Sequence, residues 1–459
     1  MTSDPAAAAR ELEAAIEKHG IRHMKVGGYD IDGILRGKYI ALEKLWSALK
    51  EPMGFCDVIF GWDASDALYD NARVTGWHSG YPDTHARIDP STFRVLPWEP
   101  DTAALLVDFV QPDGSAHPAC PRGLLRRVVQ RARDLGFEPF IGAEFEFFVF
   151  HETPATLSAK GFRGLEPLSP GMFGYSWVRS SQNADLCHAI LDDMARFGIA
   201  IEGLHTETGP GVYEVAIQYD EALRAADSAA LFKTAMKQVA HRLGYSVTFM
   251  AKWNPDLPGS SGHLHQSLWR DGANVLYDPS ARAGMAGALS ATGRHYLGGQ
   301  LALMPELTAL VSPTVNSYKR YVPGVWAPLN ASWGVENRTC AIRVIPGGPK
   351  ATRLEYRQTA ADINPYVAIA ATVAAGLWGI EHRIEPPPAV DGDASGRGDL
   401  APLPRTLREA TDRLARSEVV RSLLGEAFID HYVRTRDWEC RQYERVVTEW
   451  ELRRYFEAI

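Results

Sequence analysis

The chain has 459 residues, long for one core, and its 46% hydrophobic and 23% charged content is that of an ordinary globular protein, with two domains as the expectation. A net charge of −8 without any clustered basic footprint argues against a nucleic-acid or membrane-surface partner. The five cysteines, Cys56, Cys120, Cys187, Cys340 and Cys440, never form a C-x-x-C pair, which argues against a disulfide framework or zinc ribbon and for a reducing compartment.

A helix is predicted over 4–19; lacking a basic region followed by an apolar one, it is not a secretory signal, and the protein is expected in the cytoplasm. Alternating segments at 24–29 and 34–40, about Asp30-Ile31-Asp32-Gly33, predict a hairpin. Residues 55–90, rich in Gly, Asp and Trp, read as one long loop region, of the kind that is usually functional. A strand at 103–110 closes this unit, and Pro112-Asp113-Gly114 with Pro118 and Pro121 marks a boundary between domains 1–113 and 114–459. Then come a helix at 123–135, a strongly apolar strand at 140–150, a helix at 184–197, a strand pair within 200–218, a helix at 226–243, and strands at 246–252 and 262–268. The helix at 365–383 is long and apolar, yet its richest run, 367–380, falls short of the ~20 residues of a bilayer span. A Pro/Gly/Asp-rich linker at 386–398 and two helices after Leu407 finish the chain. Strands and helices mixed without strict alternation favour an α+β fold over a doubly wound one.

Four segments place charge where a core strand would be apolar. Glu144 and Glu146 share one face of the strand at 140–150, and two like charges in a dry setting need a cation; a solvent-facing strand gives the same pattern. His263 and His265 also share a face, as metal or phosphate contacts or as satisfied structural histidines. Glu207 and Glu214 flank the turn residues Thr208, Gly209, Pro210 and Gly211, and alone would read as loop surface. Arg353, Glu355 and Arg357 form a cation–anion–cation row, either a surface ladder or, with Lys319, Arg320, Arg338, Arg343 and Lys350, part of an oxyanion-binding cluster. Five glutamates and a histidine beside several arginines suit magnesium or manganese better than zinc. Metal plus arginine is what phosphoryl transfer needs, and there is no G-x-x-x-x-G-K-[ST] loop, so the residues alone reach a two-metal phosphoryl-transfer enzyme that is not a P-loop protein.

From Met24 onward these segments, in this order, resemble the glutamine synthetase family. The resemblance is most specific in Asn316-Ser-Tyr-Lys-Arg-Tyr-Val-Pro-Gly324, then Glu336-Asn-Arg338, Arg343, Lys350, Arg353-Leu-Glu-Tyr-Arg357 and Asn364-Pro-Tyr366. It implies an N-terminal β-grasp domain followed by a catalytic domain with a split antiparallel barrel, assembled as a homo-oligomer of stacked rings, a dodecamer, whose active sites are shared with a neighbour's β-grasp domain. It also implies one Mg2+ or Mn2+ held by Glu146, Glu207 and Glu214 near glutamate, and a second held by Glu144, His263 and Glu355 near ATP. Arg320 and Arg357 resemble the grip on the substrate carboxylate, and Arg338 and Arg343 the residues around the transferring phosphoryl group. Arg353, Lys350, His265 and Ser267 match positions around the nucleotide, with Tyr219 near the base. The implied chemistry is attack of the glutamate γ-carboxylate on ATP to give γ-glutamyl phosphate, followed by attack of a neutral amine.

Departures from the pattern gather at the amine. Glutamine-forming members carry a flap glutamate where this chain reads Pro323-Gly-Val-Trp-Ala-Pro328, with Trp326 at the position of the base. A neutral indole cannot take a proton but suits the carbon body of an organic amine, so the expectation is a glutamate–amine ligase. Pro258 stands where an asparagine amide helps hold glutamate, although Gly259 is retained, and Asp63 is the match for the aspartate lent by a neighbour. The alternatives are glutamine synthesis from ammonia, a catalytically silent relative, and a metallohydrolase built on His263-Leu-His265.

Overall fold

The computed structural model describes residues 5–280 and 289–459. The opening helix runs Pro5–Lys18; position 4 of the predicted helix lies outside the described residues. The predicted hairpin is present as β1 (His23–Tyr29) and β2 (Leu35–Ile40), its turn held by Asp30 Oδ1, which accepts from the amides of Asp32 (3.0 Å) and Ile34 (2.9 Å). The region 55–90 corrects the expectation of one loop: it contains much of β3 (Met53–Cys56), a 3-10 turn Asp57–Phe60, and β4 (Asp83–Ile88). Only 61–82 is irregular, and its shape comes from a distant helix, Glu426–Glu444. Trp438 Nε1 donates to Asp63 Oδ2 (2.9 Å), Asn71 Nδ2 donates to the Arg434 carbonyl (3.0 Å), and Arg441 pairs with Asp70. Strands β5 (Arg94–Val95) and β6 (Thr102–Val110) complete a six-stranded sheet ordered β2-β1-β6-β4-β3, with β1 and β6 parallel and β5 beside β6. Leu12 and Ile16 of the first helix share a buried cluster with Met24, Val26, Leu105 and Phe109 of this sheet.

Among the described residues the second sheet has nine strands: β7 (Glu138–Phe150), β8 (Ile201–Thr206), β9 (Val212–Glu221), β10 (Ser246–Thr248), β11 (Leu264–Arg270), β12 (Ala273–Asn274), β13 (Trp333–Val335), β14 (Ile342–Ile345) and β15 (Arg353–Tyr356). Its main path is β13-β14-β15-β11-β7-β9-β8, antiparallel except at β13–β14. The period of two in β7 decides its faces. Phe145 and Phe147 are fully buried and pack on Phe232 of the helix Ala222–Arg242, with ring centroids 6.4 and 6.2 Å apart, which turns Glu144 and Glu146 to the opposite face. That settles the open reading of this strand: the pair is half-buried in a cleft, not on open surface.

Two helices cross against each other without a matching sequence prediction for the first. Ala291–Val311 is apolar nearly all round, so it shows little amphipathic periodicity, and it packs on Pro365–Glu381. The crossing is close because it is lined by glycine: a Cβ on Gly299 would lie 2.2 Å from the Ala375 carbonyl. Gly299→Ala is therefore expected to destabilise by about 1–3 kcal/mol through overpacking, read as a lower melting temperature and a reduced soluble yield. After Leu407 there are four helices instead of two, Leu407–Arg416, Glu418–Leu424, Glu426–Glu444 and Glu449–Tyr455, because Ser417, Gly425 and Thr448 interrupt what the apolar pattern runs together. Among the described residues no helix is long and apolar enough to cross a membrane.

Candidate active site

Strand register assembles the site. Glu146 on β7 faces Glu214 on β9, and Glu214 in turn faces His205 on β8. On the other side the Glu144 amide donates to the His263 carbonyl (3.0 Å), His265 on β11 faces Glu355 on β15, and Glu355 faces Arg343 on β14. One stripe of ionisable side chains thus crosses six adjacent strands.

Within it, His265 Nε2 lies 3.0 Å from Glu144 Oε1, and His263 Nδ1 lies 3.7 Å from Glu144 Oε2 and 3.4 Å from Glu355 Oε1. Arg343 Nη1 is 3.0 Å from Glu355 Oε2, while Arg357 pairs with Glu355 Oε1. Single ligand atoms from Glu144, Glu214 and His263 approach within 4.8 Å of one another, as do those of Glu144, His265 and Glu355. The grouping differs from the expected one: the first trio joins Glu214 to Glu144 and His263 of the other set, and the second takes His265, assigned to the nucleotide by resemblance, in place of His263. Glu207 sits instead against His205, 3.4 Å from its Nε2, and Glu146 Oε2 accepts from the Ser261 amide (2.6 Å).

The electrostatics divide the carboxylates into two kinds. Burial opposes ionisation of Glu144 and Glu355, yet histidine contacts, joined at Glu355 by Arg357, hold Glu144 well below the usual range and Glu355 at about 2. Burial pushes Glu146 up to about 7 with Glu207 adding repulsion, and Glu214 up to about 9 with Glu146 and Glu144 adding theirs. Burial and Arg357 push the His263 imidazole down, favouring the neutral ring that a metal requires, and its Nε2 is buried without a hydrogen-bond partner. Crowded carboxylates short of positive charge beside a neutral histidine fit hard divalent cations.

Next to the trios a cavity of about 270 Å³ gathers the residues assigned to the nucleotide, Tyr219, His265, Ser267, Lys350 and Arg353, and is lined by Glu144 as well. Arg353 Nε donates to His265 Nδ1 (3.0 Å), which directs the other imidazole nitrogen at Glu144. Arg320 and Arg357 are buried, 3% and 4% exposed, and already bonded: Arg320 to the Gln358 carbonyl and Ser261 Oγ, Arg357 to Glu355. Arg338 is exposed and has no ion pair among the described residues, whereas Arg343 is shared between Glu336 and Glu355. Gly259 packs too tightly for a side chain, a Cβ there lying 2.6 Å from the Ala251 carbonyl and 2.8 Å from Arg320 Cβ. Trp326 is 68% exposed, on a run of exposed residues 322–326. Asp63 does not join this cluster within the chain; its carboxylate accepts from Ser65 N, Ala67 N and Trp438 Nε1.

Sequence reasoning missed Tyr175 and His205. Their rings stack 4.3 Å apart at 8°, with Tyr175 held by its amide bonded to the Thr206 carbonyl (2.7 Å). Burial raises the Tyr175 phenol, and Glu207 and Glu214 add to it, so this ring, 73% exposed, stands at the mouth of the carboxylate cluster. The signal for His205 was present, since His205 and Glu207 are two apart at the end of β8 and share a face.

A family model described as glutamine synthetase, catalytic domain, matches residues 118–455. The chain is 47% identical over 442 residues to type-1 glutamine synthetase 2 of Dictyostelium discoideum, covering 95% of this chain and 84% of that protein. It is 38% identical over 448 residues to glutamate–isopropylamine ligase of Pseudomonas sp, covering 97% of each, and 37% identical over 457 residues to gamma-glutamylethanolamide synthetase of Streptomyces coelicolor, covering 99% and 97%. Among solved structures, a GmaS complex with ADP matches with a TM-score of 0.83 at 30% identity, covering 97% of this chain and 99% of that one.

Proposed function

This chain belongs to the glutamine synthetase family, and on that premise we propose that it joins the γ-carboxylate of glutamate to a small organic amine, consuming ATP through γ-glutamyl phosphate. The observation that carries the amine is the flap: exposed residues 322–326 offer no carboxylate, and an indole and a phenol, Trp326 and Tyr175, are presented to solvent in place of a base. An ammonium ion gains little from such surfaces, whereas an alkylamine buries its carbon body on them. Two of the relatives are described as ligases of organic amines. Ammonia is the second reading, favoured by the 47% identical relative described as a glutamine synthetase.

Divalent cations held by Glu144, Glu214 and His263 and by Glu144, His265 and Glu355 would neutralise polyphosphate charge, letting one anion approach another. The chain's own residues do the rest. Lys350, Arg353 and Ser267 line the nucleotide cavity, and the exposed Arg338, with Arg343, places positive charge where the phosphoryl group passes. Arg320 braces Ser261, whose amide orients Glu146, and with Arg357 forms the cationic floor under the substrate carboxylate. Phosphorylation converts a carboxylate into an acyl group with a leaving group, and the neutral amine then displaces phosphate. We read 1–113 as the β-grasp domain and 114–459 as the catalytic domain of a cytoplasmic dodecamer of stacked rings, in which Asp63 serves a neighbour's site.

The test is phosphate release from purified protein with ATP, Mg2+ and glutamate against ammonium, isopropylamine and ethanolamine. The expected result is a kcat/KM for at least one organic amine about tenfold or more above that for ammonium; ammonium saturating at about 1 mM with turnover of about 1 s⁻¹ or faster would overturn the assignment. Tyr175→Ala is expected to raise the amine KM about tenfold with ATP KM unchanged, the worth of one aromatic contact.

A further inference from the structure

Behind the turn that carries Arg320 lies a second cavity, of about 350 Å³, separate from the nucleotide cavity. Its floor is apolar: Leu407 and Cys440 are buried, and Val315 and the Tyr443 ring border it. Its rim is cationic. Among the described residues Lys319 has no carboxylate partner, resting 5.4 Å from the Tyr443 ring centroid, and the Arg405 guanidinium donates only to a neutral oxygen, the Tyr321 carbonyl (3.1 Å). Arg408, also on the rim, is satisfied by Asp437 and by Glu444, the one carboxylate lining the cavity among the described residues. Tyr318, which lines the cavity, is 7% exposed, and its hydroxyl is buried with no hydrogen-bond partner. An ammonium and a guanidinium without a carboxylate among the described residues, and an unused phenol, over an apolar floor call for a single anionic group carried on an apolar body.

We propose that this cavity binds a small organic carboxylate and that its occupancy alters the enzyme's affinity for glutamate. The carboxylate lies between Lys319 and Arg405, and the carbon body lies on Leu407 and Tyr443. Coupling is short-ranged. Tyr318, Lys319 and Arg320 are consecutive residues of the 3-10 turn Ser317–Arg320, so drawing Lys319 toward a ligand moves the backbone that positions Arg320 and its bond to Ser261 Oγ (3.0 Å). This coupling rests on the reading of Arg320 as a substrate residue; the binding does not, and neither depends on whether the second substrate is an amine or ammonia.

The experiment titrates benzoate into the full-length enzyme by ligand-observed NMR without turnover, with inorganic phosphate as the second probe, and separately measures glutamate KM with and without benzoate. Expected are saturable benzoate binding that survives saturating glutamate and ATP analogue, and phosphate binding at least about tenfold weaker. The Lys319→Gln/Arg405→Gln double variant should weaken benzoate about tenfold or more, and Tyr443→Ala, which leaves both cations in place, about fivefold. Benzoate should change glutamate KM at least about twofold in the wild type and not in the double variant. No saturable binding, equal binding of phosphate, affinity unchanged in both variants, or a KM indifferent to benzoate would each overturn the proposal.

Discussion

Glu214→Gln is expected to lower turnover by about 10²–10³-fold while making the metal-free protein more stable. The two effects share one cause. Glu214 faces Glu146 across β7 and β9 and has Glu144 and Glu207 nearby, so in the protein alone its charge is opposed by burial first and by its neighbours second, and its carboxyl is pushed up to about 9. A carboxyl whose folded pKa exceeds its unfolded value detracts from stability as pH rises through the interval between them, here from about 4.5 to about 9. In chelator, the wild type should therefore melt at progressively lower temperature between about pH 6 and about pH 9, and Mg2+ should abolish most of that slope. The glutamine variant removes the ionisable group and retains its volume, so its slope in chelator should be flatter and its melting temperature at about pH 8 higher by about 2–4 °C. It should also gain less from Mg2+. A variant that melted lower in chelator, or that kept wild-type turnover, would mean that Glu214 is structural.

Trp326→Glu is expected to invert the choice of nitrogen nucleophile. The indole is 68% exposed and its replacement disturbs no core, so the melting temperature should change little, surface substitutions lying within about 0.5 kcal/mol. A carboxylate on the flap would supply the proton acceptor that this segment lacks, an effect worth about 10²–10⁴-fold where positioning is good. Only part of that is expected from a single substitution: a rise of about tenfold or more in kcat/KM for ammonium. A fall of about tenfold for the preferred organic amine should accompany it, from the lost apolar contact. The readout is the ratio of the two specificity constants on one preparation. A ratio unmoved by the substitution would remove Trp326 from the amine site.

Much of the fold was legible because its signals are local. Alternation at 24–40 predicts the first hairpin, and the apolar run at 140–150 predicts β7. Where prediction failed, the deciding contacts came from far along the chain. The 61–82 segment looks structureless because its partners, Trp438, Arg434 and Arg441, lie more than 350 residues away. Helix Ala291–Val311 escaped notice because it is buried on nearly every side, which erases the amphipathic stripe on which prediction depends. The site divides in the same way. Glu144, Glu146, His263, His265 and Glu355 could be singled out because polar residues at period two in apolar strands are conspicuous, whereas His205 and Tyr175 acquire their meaning from a ring stack invisible in sequence.

Sequence alone therefore determined which side chains share a face, since that follows from the two-residue repeat of a strand. Only the tertiary structure decided which faces meet: Glu146 opposite Glu214, His265 opposite Glu355, and Arg320 and Arg357 buried and bonded beside them. Register is set by hydrogen bonds between distant strands and by the helices packed beneath them, and a slip of one residue would turn every one of these carboxylates into the core.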